Sequence, residues 1–282
     1  TATPLMKLIV PMAGRGTRVR PHSHVTPKPL LSVRGRSIVE RIVDTFARVL
    51  PAPPDDGVFV LGPDFGPGIR DQLTALCEER GITPHFPVQE EALGTAHAVA
   101  CADEHLAGEG VVVFADTLFE LTDEVRLDDA DDHDMKGAGG EYQLTDALDR
   151  RLQEGDRFTT AGVDAWMDCG TIPALLQTTG RVLERESDDR HQGTVEDSVI
   201  REPVYIGPEA TVKNAVVGPY ASIEAGATVE NAVVRKSIVF AEGRVEDAVL
   251  ADSVVGRHAA VTQRPQSLNV GDHSQMNVEL RS

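Results

Sequence analysis

The chain has 282 residues, 41% hydrophobic and 26% charged, and 27 Lys/Arg against 45 Asp/Glu give it a net charge of −18. That length leaves room for one large domain or two ordinary ones, and no apolar run approaches the roughly 18 residues a membrane span needs. The acidic sum argues against a general nucleic-acid binder, which would present a basic face.

Charge is unevenly spread. Residues 1–50 carry +7 and the remainder −25, which suggests a local site for a small polyanion early in the chain. Arg34, Arg36, Arg41 and Arg48 are expected on a solvated helix face. The acidic remainder could equally reflect adaptation to high salt. Cys77, Cys101 and Cys169 are scattered and form neither a disulfide framework nor a CxxC site, so a reducing, cytoplasmic setting is expected. Thr1–Leu5 is short and polar, so no signal peptide is expected, and Met6 is the expected native start.

In chain order, Leu8-Ile-Val10 reads as a buried strand. It runs into a turn, Pro11-Met-Ala-Gly-Arg-Gly-Thr-Arg-Val-Arg-Pro21, followed by Thr26-Pro-Lys-Pro-Leu-Leu31. Glycines at a strand end present backbone N–H groups without side-chain bulk, and such groups bind phosphate. Arg15, Arg18, Arg20 and Lys28 add four cations. Two prolines bracket Lys28 and restrict the backbone on both sides, which suits an ammonium aimed at a defined anion. A plain structural turn and a surface lysine are the alternatives. Val19 stands where a dinucleotide fold needs a third glycine, and no GxxxxGK[ST] occurs.

Ile38, Ile42, Val43, Phe46 and Val49 have helical spacing, with a Ser37/Glu40 capping box before them and Pro51–Pro54 after. A strand at Gly57–Leu61, a helix near 69–79, a strand near Thr83–Val88, a helix at Ala92–Cys101 and a strand at Val111–Ala115 follow. This alternation predicts an α/β domain with a mostly parallel sheet, whose ligands sit beyond the carboxyl ends of the strands. Leu121–Gly140 is acidic and reads as a surface loop. The pattern resumes with Phe158–Val163, then Trp166-Met-Asp-Cys-Gly-Thr171 and a helix from about Pro173 to Glu186. Trp166 is expected in the core. A lone Asp116 or Asp168 could be no more than a turn or cap residue. His22, His24 and His97 are expected at the surface or behind the site.

Ser187–Gly193 is a polar junction, and beyond it Val195-Glu-Asp-Ser-Val-Ile, Val212-Lys-Asn-Ala-Val-Val, Val229-Glu-Asn-Ala-Val-Val and Val245-Glu-Asp-Ala-Val-Leu restart every 17, 17 and 16 residues. Hexad units such as Ile206-Gly-Pro-Glu-Ala-Thr recur within them. Such a period is the mark of a β-solenoid whose coils stack their aliphatics. The expected domains are residues 6–186 and 194–282.

The glycine turn with Pro27-Lys-Pro-Leu-Leu31 resembles the signature of sugar-1-phosphate nucleotidyltransferases. Gln89-Glu-Glu-Ala-Leu-Gly-Thr-Ala96 is similar to that family's Q-x-x-x-L-G-T-A segment, and Phe114-Ala-Asp116 and Trp166-Met-Asp168-Cys-Gly-Thr171 to its two metal-binding strand ends. Glu141-Tyr-Gln-Leu-Thr-Asp146 is similar to the segment near the sugar. The resemblance covers about residues 6–180. It implies a Rossmann-like domain in which Ala13, Gly14, Arg15, Gly16, Thr17 and Arg18 hold a triphosphate, with Arg18 and Lys28 catalytic. Gln89, Gly94 and Thr95 would receive the base and ribose, Glu141 the sugar, and Asp116 and Asp168 Mg²⁺. The carboxy-terminal repeats resemble the left-handed parallel β-helix of hexapeptide-repeat proteins, expected to assemble a homo-oligomer.

The implied substrates are an NTP and a sugar 1-phosphate. A glucose-1-phosphate thymidylyltransferase-like enzyme using dTTP or UTP leads, and GTP with mannose 1-phosphate follows. A hexapeptide-repeat acyltransferase using acetyl-CoA, with His258 as base, is the other class. The family has further strands and an E-K-P segment between the positions of Asp116 and Glu141. Either the intact protein has additional residues between about 120 and 141 or the enzyme is truncated and impaired. The first is expected, because the strands here are too few for a complete sheet, and Lys136 is given no role.

Overall fold

The computed structural model describes residues 6–14, 16–24, 26–50, 53–107, 109–120, 144–153, 155, 163–186 and 191–263. The chain divides into two compact units, residues 1–188 and 189–282. Among the described residues no helix is long and apolar enough to cross a membrane.

The first unit is built on β1 (Met6–Pro11), the expected apolar run. Leu8, Ile9 and Val10 are almost wholly buried, which requires sheet neighbours on both sides and cover on both faces. A short β-hairpin, β2 (Ser32–Val33) and β3 (Arg36–Ser37), leads into helix α1 (Ile38–Val49). The capping box forms: Glu40 N donates to Ser37 Oγ, and Ser37 N donates to the Glu40 carboxylate. Then come β4 (Asp56–Val60), α2 (Pro67–Glu78), β5 (Thr83–His85), α3 (Thr95–Ala100) and β6 (Glu109–Val112). Strands β1, β4, β5 and β6 form a parallel sheet in the order β5-β4-β1-β6. The chain therefore leaves β1 on one side and returns on the other. The gap between β1 and β6 is a topological switch point, where loops diverge and a ligand can enter.

A further strand pair lies outside that sheet. β7 (Thr117–Glu120) runs antiparallel to β8 (Ala165–Asp168), with Thr117 opposite Asp168 and Phe119 opposite Trp166. Helix α4 (Leu144–Gln153) lies between them in sequence, and α5 (Ile172–Arg185) follows, capped by Thr171 Oγ1, which accepts from Ala174 N. Trp166 is not a core residue: it is 62% exposed. Strand alternation is the reason, since Met167 and Cys169 take the inward positions and leave Trp166 and Asp168 facing out. The arginines depart from expectation too. Arg34 and Arg41 are buried, and both pair with Glu186, which Arg41 grips through two nitrogens.

The second unit is a β-solenoid with three parallel sheets. Thr194–Glu196, Thr211–Lys213, Thr228–Glu230, Arg244–Glu246 and Ala260–Thr262 stack in one, with the repeat valines Val195, Val212, Val229, Val245 and Val261 in register. Val212, Val229 and Val245 are fully buried, whereas Val195 on the end coil is 38% exposed. Each coil thus hides its neighbour's aliphatics. The corners carry left-handed residues that also repeat: Asp197, Asn214, Asn231 and Asp247 all have φ between 45° and 51°. At these corners an amide reaches the preceding coil, as when Asn214 N donates to Glu196 O and Asn231 N to Lys213 O. The acidic stretch Leu121–Gly140 lies outside the described residues, as does most of Phe158–Val163.

Candidate active site

At the carboxyl edge of β1 the chain turns away through Met12, whose amide donates to Val60 O at 2.9 Å and fixes the exit. Gly14 and Gly16 behave differently. A Cβ on Gly14 would meet no protein atom within 4 Å, so nothing in the fold demands glycine there. Gly16 has φ 56°, and a Cβ on it would sit 3.0 Å from Lys28 Cβ and 3.2 Å from Ser23 Cβ. Ser23 Oγ donates to Gly16 O at 2.6 Å and pins the turn. Gly16 is therefore required by conformation and by the approach of Lys28, while bare Gly14 leaves room for a ligand.

Lys28 begins a short 3₁₀ turn, Lys28–Leu30, with Pro27 before it and Pro29 inside it. Its side chain is 9% exposed and its Nζ lies 2.8 Å from Asp116 Oδ2. Burying an ammonium is costly unless it is paired. Lys28 is thus held in place by one carboxylate at the very edge where a polyanion would arrive. Asp116 itself, at the entrance to β7, is more than a third exposed.

A cavity of about 500 Å³ opens over this edge. The turn contributes Ala13, Gly14, Gly16, Thr17 and Arg18, and Lys28 and Asp116 form another part of the lining. Gln89, Gly94 and Thr95 come from the segment between β5 and α3. Gln89 is 5% exposed; its Nε2 lies 3.1 Å from Gly94 O and 3.1 Å from His97 Nδ1. Gly94 has φ 109°, open to glycine and strained for other residues. Thr95 Oγ1 accepts from Leu144 N at 3.0 Å, which ties α3 to the start of α4. Ten of the residues singled out from the sequence therefore meet at one cavity. Arg15 and Glu141 lie outside the described residues.

Asp168 is not part of that lining, although Gly170 is. It sits one strand position from Asp116: Cys169 N donates to Asp116 O at 2.8 Å, and Thr117 is paired with Asp168. Its Oδ1 accepts from Gly170 N at 2.7 Å, and a Cβ on Gly170 would lie 2.7 Å from the same oxygen. The glycine of W-x-D-x-G-T thus makes space for the carboxylate, while its threonine caps α5. Between the two aspartates, burial pushes the Cys169 thiol up to about 12, so it stays protonated.

The residues suit a hard divalent cation in kind. Both side chains are carboxylates, and the carboxylate of Asp116 already holds a positive group, the Lys28 ammonium. Among the described residues no three His, Cys, Asp or Glu side chains cluster. An ion here would draw most of its ligands from phosphate and water, as Mg²⁺ usually does.

A second cavity of about 520 Å³, between α1, β7–β8 and α5, shares no residue with the first. Its charges balance, with Arg36, Arg41, Arg48 and Arg185 against Asp44, Glu120, Asp164 and Glu186, so it has no preference for a polyanion. His97, expected at the surface or behind the site, lies behind it and bonds to Gln89, a contact the sequence reading did not specify. The signal was its position on the first turn after Gly94, within reach of any side chain packed under that turn.

Comparison with known proteins bears on this edge directly. Residues 7–137 match the Nucleotidyl transferase family, and residues 190–246 match the GlmU-like C-terminal hexapeptide. The amino-terminal unit is thus similar to nucleotidyl transferases over residues 7–137. Its relatives include a mannose-1-phosphate guanyltransferase of Candida albicans, 30% identical over 143 residues, which are 50% of this chain and 38% of that one. The low-salt glycan biosynthesis nucleotidyltransferase Agl11 of Haloferax volcanii is 25% identical over 61% of this chain and 44% of its own. The bifunctional protein GlmU of Zymomonas mobilis is 34% identical over 41% of this chain and 24% of its own. The chain thus spans from about a quarter to under half the length of these curated relatives. A UDP-glucose pyrophosphorylase complexed with UDP-glucose superposes with a TM-score of 0.51 at 14% identity, over 64% of this chain and 100% of that one. That likeness concerns the fold alone.

Proposed function

We propose that this chain transfers a nucleotidyl group from an NTP to a sugar 1-phosphate, releasing pyrophosphate. The observation that carries the reading is the cavity itself: a bare glycine turn, Arg18, the buried Lys28 and the Gln89–Thr95 segment face one space at the sheet's switch point. Attack of one phosphate on another needs charge neutralised and reactants aligned. Arg18 and the turn amides at Gly14 and Gly16 bind the triphosphate. Lys28, held near the reacting centre by Asp116, stabilises charge at the α-phosphate and on departing pyrophosphate. Gln89, Gly94 and Thr95 hold the nucleoside, and Glu141 the sugar. Asp116 and Asp168 hold Mg²⁺, which, when bound, neutralises phosphate charge.

For the nucleotide, dTTP or UTP with glucose 1-phosphate comes first, and the Candida albicans relative supports GTP with mannose 1-phosphate as the second choice. Pyrophosphate release measured across NTPs and sugar phosphates tests the reading. Release with one pair, abolished by EDTA and restored by Mg²⁺, is expected. No release with any pair overturns it.

The solenoid is proposed to assemble copies of the chain rather than to act on acetyl-CoA. Val199, Val216, Val233 and Val249 stand in register on one sheet, with Val199 and Val249 55% and 67% exposed. An outward apolar column suits a second copy. His258 stands at a corner (φ 55°) with its amide directed at Ala241 O, as its repeat partner Glu242 does toward Ala225 O. The repeat alone accounts for its position. Light scattering at micromolar concentration is expected to give a multiple of 30.3 kDa; a monomer mass overturns this part.

A further inference from the structure

The Gln89 amide is locked in one orientation. Gly94 O can only accept, so the amide atom 3.1 Å from it must be the NH₂ group and not the carbonyl oxygen. That nitrogen has two hydrogens, and the second faces His97 Nδ1 at 3.1 Å. Nδ1 can accept only in a neutral imidazole whose proton is on Nε2, and Nε2 lies 4.0 Å from Cys101 Sγ. Both donors of the amide are therefore spent inside the protein. Gln89 Oε1 accepts from no described residue and is not sealed from solvent, and Gln89 lines the cavity. What the cavity receives from Gln89 is a single acceptor.

The geometry points to His97 as a positioning residue that makes Gln89 an acceptor-only reader of the base. This rests on the nucleotidyltransferase reading and deepens it by selecting a substrate class. Uracil, thymine and guanine carry a ring imino N–H on their pairing edge, and a lone acceptor suits it. Adenine and cytosine present an amino donor beside a ring-nitrogen acceptor. They would satisfy both only on an amide that offers donor and acceptor together. With Nε2 withdrawn by Gly94 O and His97, their ring nitrogen is left facing an oxygen. A site that leaves such a buried group unpaired discriminates far more strongly than one that merely loses contact area. His97 reaches no substrate in this scheme. It acts by holding the second N–H of Gln89, without which the amide can rotate.

The test is equilibrium binding of UTP, dTTP, GTP, ATP and CTP to the intact chain, with pyrophosphate release measured in parallel. The parent is expected to favour the imino-bearing bases by about 100-fold. His97→Leu removes the acceptor and is expected to cut that preference to roughly tenfold or less, through nucleotide affinity and KM rather than kcat. His97→Asn places an oxygen near the former Nδ1 and is expected to keep most of the preference. A wild-type preference in His97→Leu overturns the inference, as does equal loss in His97→Asn and His97→Leu.

Ring ¹⁵N shifts of His97 in the parent protein need no variant to fold. An unprotonated Nδ1 at neutral pH is expected, and a protonated one overturns the inference. Failure of every nucleotide to bind would sink the nucleotidyltransferase reading and this inference together. Nucleotide binding with discrimination indifferent to His97 sinks this inference alone.

Discussion

Left-handed backbone occurs in both units, and it means different things in each. In the solenoid it recurs on schedule: Asp197, Asn214, Asn231 and Asp247 mark one corner, and Glu209, Gly226, Glu242 and His258 another. Each repeats because each coil must turn at the same place, and the amide there joins the preceding coil. In the α/β unit the positive-φ positions follow no period: Arg34 and Gly35 turn the β2–β3 hairpin, Gly81 and Gly155 follow helices, and Gly16 and Gly94 border one cavity. Conformational cost that repeats with the period belongs to the architecture. The same cost at single positions on a sheet edge marks a site.

The contrast can be broken most sharply at Lys28. Lys28→Ala is expected to lower kcat/KM for pyrophosphate release by about 10²–10³-fold, while the chain keeps its far-UV circular dichroism. Unchanged activity would remove the site from this edge. In the solenoid the largest effect is on stability. Val229→Ala, at a fully buried interior position, is expected to cost about 2 kcal/mol in denaturant unfolding. The same change at the part-exposed Val195 of the end coil is expected to cost well under half of that. Equal costs would contradict stacking as the source of stability.

The two glycines of the turn separate a demand of the fold from a demand of the ligand. Gly16→Ala is expected to destabilise by about 1–2 kcal/mol because of its φ and its contact with Lys28. Gly14→Ala is expected to leave stability within about 0.5 kcal/mol of the parent and to raise the nucleotide KM. Glu186 offers a pH test. Burial pushes its carboxyl up, but the hydrogen bonds from Arg41 and the charges of Arg41, Arg36 and Arg34 outweigh this, and the net shift is downward. A carboxyl lowered in the folded state stabilises it above the unfolded pKa and loses that contribution as pH falls through the folded one. Glu186→Gln is therefore expected to flatten the acid limb of the stability curve and to weaken the protein at pH 7. The smallest effect is at a corner: Glu209→Gly relieves a φ of 58° and is expected to stabilise by no more than about 1 kcal/mol.

The solenoid was largely legible because its information is one-dimensional. A valine returning every 16 or 17 residues states both the period and the inward position, and the register of Val195 through Val261 follows it. The Ser37/Glu40 cap and the parallel β1, β4 and β6 were readable for a similar reason, since local spacing carries them. Trp166 was misjudged because its burial depends on which face of β8 meets the core, and a four-residue strand does not announce its partner. Arg34 and Arg41 were taken for solvated residues because their partner, Glu186, lies about 150 positions away in the chain.

By itself the sequence determined the alternation of strands and helices, the repeat, and the residue types an anion site requires, because hydrophobic period, capping and turn chemistry act over a few residues. Only the tertiary structure decided how those residues act together. It set Lys28 against Asp116, gave Gly16 to the fold and left Gly14 to a ligand, and spent the donors of Gln89 on Gly94 and His97. Such pairings arise when distant segments are brought to one edge of a sheet, and no local pattern encodes which atom will be left facing the cavity.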